Sequence, residues 1–92
     1  MSDEPRLREQ AREAVRSGKI PGRRQDRTWG GPGVGAPCSV CGKPVSKHEM
    51  ELEIQFARNG DASGLDKFNL HVRCFAAWEF ERNKVDGAPP GA

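Results

Sequence analysis

Four side chains in this chain have the types and spacing for metal chemistry. Cys38-Ser-Val-Cys41 is followed by 29 residues and then by His71-Val-Arg-Cys74. Three thiolates and an imidazole make a tetrahedral donor set for structural zinc. Each pair has two residues between its ligands, which suits one four-coordinate ion. A Cys-x-x-Cys turn brings two sulfurs to one side of a tight loop. His-x-x-Cys on the first turn of a helix does the same, because positions i and i+3 share a face. This reading uses all three cysteines of the chain. The competing readings are three unrelated reduced thiols beside a surface histidine, and His48 as fourth ligand in place of His71. His48 lacks the paired spacing.

Four protein ligands leave no open position for water, so hydrolytic chemistry is not expected at such a site. The chain has no serine nucleophile motif and no phosphate-cradling Gly-Lys-Ser/Thr loop. Glu51 and Glu53 have the look of an acid–base pair. On a solvated strand face, separated like charges are ordinary. No enzyme and no small-molecule substrate are expected.

The elements that must position the ligands follow from local pattern. Residues 38–45 form the first metal turn, with Gly42 where a positive φ is commonly needed and Pro37 and Pro44 on either side. Met50, Leu52, Ile54 and Phe56 alternate with Glu51, Glu53 and Gln55, which predicts a half-buried antiparallel strand. Phe68 and Leu70 alternate with Lys67 and Asn69 in the same way. A loop of about eight residues, rich in turn formers from Asn59 to Gly64, joins the two strands. Residues 71–84 predict a helix with His71 and Cys74 in its first turn. That helix is apolar over more than one face, more than a hairpin alone covers.

Upstream, residues 4–17 predict a helix capped by Ser2 or Asp3 and ended by Gly18. Its stripe of Leu7, Ala11, Ala14 and Val15 is thin, so it needs a surface to lie on. Residues 19–37 read as a linker, basic at first and then rich in glycine and proline. The stretch from Thr28 to Pro37 has four glycines and two prolines in ten residues, a composition that predicts no regular structure. Trp29 is expected to dock and cover the zinc domain. Residues 85–92 read as a frayed tail. The expected organisation is an N-terminal helix over 1–18, a linker over 19–37, a zinc domain over 38–84 and a tail over 85–92.

Composition fits a metal-centred fold. With 92 residues and 35% hydrophobic content, a large apolar core is out of reach, and small domains of this kind often need a staple. An odd cysteine count argues against closed disulfides and for a reducing compartment. No apolar run approaches a membrane span, and no signal-type apolar segment opens the chain. A soluble, cytoplasmic protein is expected. Charge is uneven. Residues 1–37 hold eight Lys or Arg against five Asp or Glu, for +3, and residues 38–92 hold seven against eight, for −1.

Knuckle, hairpin and a helix carrying the second ligand pair make a treble-clef-like arrangement. The expected fold is therefore a small α+β zinc-stabilised domain with an added N-terminal helix. The spacing Cys-x2-Cys-x29-His-x2-Cys, with Phe75 and Trp78 following, resembles the zinc finger of poly(ADP-ribose) polymerases and DNA ligase III over residues 38–80. Its tryptophan is displaced from that family's His-x-x-Cys-Phe-Trp. The resemblance implies recognition of DNA strand breaks by basic residues and an apolar patch. This finger is more acidic, with Glu49, Glu51 and Glu53 along its first strand. The whole chain also looks like small bacterial zinc-binding proteins with a Trp-Gly-Gly segment before the Cys-x-x-Cys, which implies no function.

Two functions follow from these residues. One is an interaction module with a single structural zinc, meeting a protein partner through Trp78, Phe80 and Trp29. The other is nucleic-acid binding, with Lys19, Arg23, Arg24 and Arg27 on phosphates and Trp29 stacked on a base.

Overall fold

The computed structural model describes residues 4–58 and 61–85. The expected caps Ser2 and Asp3, the Asn59-Gly60 turn and the tail from 86 to 92 lie outside the described residues.

The chain forms a helix α1 (Glu4–Arg16), strands β1 (Arg27–Pro32), β2 (Met50–Arg58) and β3 (Asp61–His71), and a second helix α2 (Val72–Val85). The strands make one antiparallel sheet in the order β1-β2-β3. It is a small α+β fold whose two helices pack on one another, with α2 also against β2 and β3.

The predicted stripe of α1 is the stripe that is buried: Leu7, Ala11 and Ala14 enter the core and Val15 packs at its margin. The surface it needed is α2. Gly18 (φ 81) ends α1. Its N–H reaches the carbonyl of Val15, and the N–H of Lys19 reaches that of Ala14, the paired closure that satisfies orphan carbonyls at a helix end. The turn then drops Ile20 into the core, 0% exposed.

Trp78 sits at the centre. It is 0% exposed, packed edge-on against Phe56 with ring centroids 6.1 Å apart. Phe56 in turn meets Phe68 edge-on at 5.7 Å. Trp78 therefore offers no partner surface, contrary to the sequence expectation. The face of α2 that looked uncovered is closed by β2 and by the turn after α1, whose Pro21 carbonyl accepts the indole N–H at 3.0 Å.

Three further expectations are corrected. First, the glycine-rich stretch is not wholly irregular. Residues 27–32 form edge strand β1, with Thr28 opposite Ile54 and Trp29 opposite Glu53. An edge position tolerates Pro32 at the strand end, and Gly30 leaves room for the Leu52 side chain. Second, β3 extends into the stretch expected as a loop. β3 begins at Asp61, opposite Arg58, after a register shift between Ala57 and Arg58, and an Arg58–Asp66 ion pair at 2.8 Å bridges the hairpin. Third, Trp29 does not dock as a cover over the domain. It stands 59% exposed on β1, on the sheet face opposite the one holding Ile54 and Phe56, as strand alternation requires.

That second face is less solvated than its charges suggested. Glu51 and Gln55 are buried on it. Asn69 donates to Glu51 across β2 and β3, and Gln55 donates to Glu53 at 2.6 Å. The two acids are thus engaged by neutral amides. Met50, expected on the buried face, is exposed at the strand's end.

Candidate metal centre

The two ligand pairs come from opposite kinds of local structure. Cys38 and Cys41 lie on a tight turn in which the N–H of Gly42 reaches the Cys38 carbonyl at 2.9 Å. Gly42 has φ 80, a conformation that suits glycine because it lacks a Cβ. The N–H of Cys38 reaches the Lys43 carbonyl at 2.8 Å, and Pro37 and Pro44 bridge below. The N–H of Ser39 donates to the Asn69 carbonyl at 2.8 Å, which fastens the turn to β3.

The second pair straddles a junction. His71 is the last residue of β3, opposite Glu51 in the ladder, and Val72 is the first of α2. The expectation of His71 inside the helix is corrected accordingly: its backbone is held by the sheet, and only Cys74 lies in the helix's first turn. The break in direction still turns both side chains to one point.

The four ligand atoms all lie within 4.8 Å of one another. His71 Nδ1 is 3.4 Å from Cys41 Sγ and 3.8 Å from Cys74 Sγ. Donors on a tetrahedral shell at zinc-like bond lengths sit about 3.6–3.8 Å apart, so this cluster can hold one metal ion with little rearrangement. Cys38 and Cys74 are buried, and His71 is nearly so. His48 is exposed, outside the cluster.

The imidazole is oriented by its other nitrogen. Nε2 is 3.2 Å from the Pro44 carbonyl, which can only accept. Nε2 therefore carries the proton, and Nδ1 turns its lone pair to the sulfurs. Glu49 stands behind, its Oε1 3.6 Å from Nε2. That carboxylate accepts from the Ser46 N–H at 2.9 Å, which holds its pKa below the usual range, with the Arg73 charge adding to the effect.

Cys38 and Cys74 share a hydrogen bond that splits their pKa values. A hydrogen bond from Cys74 is the largest influence holding Cys38 down to about 4. Burial opposes it, and the N–H groups of Cys41, His71 and Val40 assist. The same contact pushes Cys74 up, with burial and the nearby sulfurs adding to it. Three thiolates this close repel one another, and a divalent cation between them removes that repulsion.

The outer partners Pro44 and Glu49 were not singled out from sequence. A backbone carbonyl leaves no trace there. Glu49 does: Ser46-Lys-His-Glu49 has the Ser-x-x-Glu spacing of a reciprocal side-chain-to-backbone pair.

The other candidate residues are scattered. Phe80 is 43% exposed, with the Arg8 guanidinium 4.5 Å over its ring. Arg23 is exposed but anchored. It donates to the Ala57 carbonyl at 2.9 Å, pairs with Asp26 at 3.5 Å and lies over the Phe56 ring at 5.0 Å. Lys19, Arg24 and Arg27 are exposed. No helix among the described residues is long and apolar enough to cross a membrane.

No protein-family model matches the chain, and neither the curated proteins nor the solved structures hold a significant match to it.

Proposed function

We propose that the ion is zinc, that it is structural, and that the domain is a non-enzymatic module acting by protein–protein contact. The observation that carries this is the closed ligand set. Three sulfurs and one oriented imidazole nitrogen crowd a single point, a combination that suits zinc and leaves no vacant coordination position. Knuckle, hairpin and following helix then correspond to a treble-clef-like arrangement, with α1 as an addition. The contact role is supported by exposed apolar side chains on a chain this small, among them Phe80, Val72, Met50 and Trp29. The test is metal analysis of the purified protein, followed by partner capture with and without chelator. Capture that persists after zinc is removed, or protein purified without zinc, contradicts the reading.

A second reading, nucleic-acid binding, is favoured by one observation. Trp29 is exposed on a strand that also carries exposed Arg27, with Arg24 close by in sequence. An exposed indole beside cations is the pattern that stacks on bases. The count of available cations is lower than the sequence suggested, because Arg23 is committed to Asp26 and Ala57. Titration against nicked duplex DNA at low and physiological salt decides it. Micromolar binding at physiological salt, lost on replacing Arg24 and Arg27, supports this reading over the first.

A further inference from the structure

The exposed apolar residues of α2 form a line. Val72, Ala76 and Phe80 succeed one another at i, i+4 and i+8, and all three are exposed. Two depressions meet over this line. One, about 220 Å³, lies between the helices against Leu7, Arg8 and Phe80. The other, about 390 Å³, lies between α2 and the start of β2 against Met50 and Val72. Both are lined by Arg73 and Ala76. They make one groove that crosses α2 where its side chain is smallest.

The walls of this groove carry more cations than acids. Arg8 and Arg73 line it, with Glu49 at the Met50 end. Beside the groove, the depression over the metal centre, lined by Cys41, His71 and Cys74, is rimmed by Arg6 and Lys43 and by Glu49. Among the described residues, Arg6, Lys43 and Arg73 form no salt bridge. Of the two acids nearest the line, Glu79 pairs with Arg82 at 3.6 Å, and Glu49, bonded to the Ser46 N–H, keeps its charge and acts on Arg73. An apolar floor between cations that outnumber the acids complements an apolar stripe between acids.

We propose that this groove is the docking site of the module and that it takes an acidic amphipathic helix of a partner protein. The proposal rests on the interaction-module reading and adds the surface and the partner's chemistry. The apolar side of the incoming helix lies across Ala76, against Met50, Val72 and Phe80. Its Asp and Glu residues face Arg6, Arg8, Lys43 and Arg73. The metal centre sets the groove's shape, because His71 and Cys74 fix the start of α2.

The test pans a random peptide library of about 16 residues, roughly four turns of helix, against the metal-loaded full chain. The chosen peptides are then measured on the parent, Ala76→Trp and Arg73→Glu. Ala76 is exposed and mid-helix, so tryptophan there fills the groove without entering the core or the metal site. Amide spectra confirm the fold of each variant. The expected result is enrichment of peptides with apolar residues at i, i+4 spacing among Asp and Glu. Their affinity falls by at least about tenfold in both variants, and amide shifts concentrate at Met50, Val72, Arg73, Ala76 and Phe80. Peptides that bind elsewhere, for instance around Trp29, overturn the groove but leave the module reading intact. Duplex DNA binding at Arg24 and Arg27 with no peptide enrichment overturns both. A concentration-dependent dimer that Ala76→Trp dissolves overturns the proposed partner and assigns the groove to a second copy of this chain.

Discussion

The indole N–H of Trp78 donates to the backbone carbonyl of Pro21, 57 residues earlier in the chain, at 3.0 Å. This bond joins the last helix to the turn that follows the first. It explains why a stretch that reads as a linker begins as part of the core, with Ile20 buried beside it. Trp78→Phe keeps a ring against Phe56 but leaves the carbonyl without its donor. The expected cost is about 1–2 kcal/mol. Trp78→Ala removes the ring as well and costs about 3–5 kcal/mol. Chemical denaturation of the metal-loaded protein measures both. Equal, small losses would show that Trp78 is peripheral.

The helix pair carries a buried carboxylate. Glu81 has a side chain only 1% exposed, and its Oε1 lies 3.1 Å from Arg12 Nε. Its other oxygen has no partner among the described residues. Removing the cation leaves a buried charge uncompensated, whereas Glu81→Gln removes the charge and keeps an acceptor for Arg12. Arg12→Met is expected to cost about 1–3 kcal/mol, a figure reduced because Arg12 is partly exposed. Glu81→Gln is expected to cost less. Denaturation curves that rank them the other way contradict the pairing.

Acid sensitivity follows from Asp26. Its carboxylate accepts from the Ala57 N–H at 2.7 Å and pairs with Arg23, and the backbone bond is the larger cause of its lowered pKa. A depressed folded value means the stabilisation is fully present above the unfolded value, 3.8, and is lost as pH falls through the folded one. Asp26→Asn is therefore expected to be less stable than the parent by a constant margin from about pH 8 to pH 5. A margin that closes above about pH 5 contradicts the assignment.

The ligand set, the buried stripe of α1, the glycine of the metal turn and the core face of β2 were legible because each leaves a periodic or spaced signal. Ile54 and Phe56 are buried on the side that alternation assigned them. What was not legible depended on contacts distant in sequence. β1 is hidden because its glycines answer to neighbours rather than to local propensity. The nearby Gly33 has no room for a Cβ against the carbonyls of Val45 and Ser46, an approach only the fold reveals. Trp78 and Trp29 exchanged roles for the same reason. Helix periodicity assigned Trp78 to an uncovered face without knowing where Pro21 returns. Strand register, unseen in a glycine-rich run, places Trp29 on the outer sheet face. Arg23 read as a free arm cation until Ala57 and Asp26 were brought beside it.

The central claim is that Cys38, Cys41, His71 and Cys74 hold one zinc whose binding supplies much of the folding free energy, on the order of 10 kcal/mol for such sites. The direct measurement is native mass spectrometry of the purified chain, with amide spectra recorded before and after zinc is stripped by chelator. One zinc per chain is expected. So are collapse of the dispersed amide signals of residues 38–58 and 61–84 on stripping, and loss of the zinc in Cys74→Ser. A chain that purifies without metal, or one that keeps its dispersed spectrum once zinc is shown to be gone, contradicts the claim.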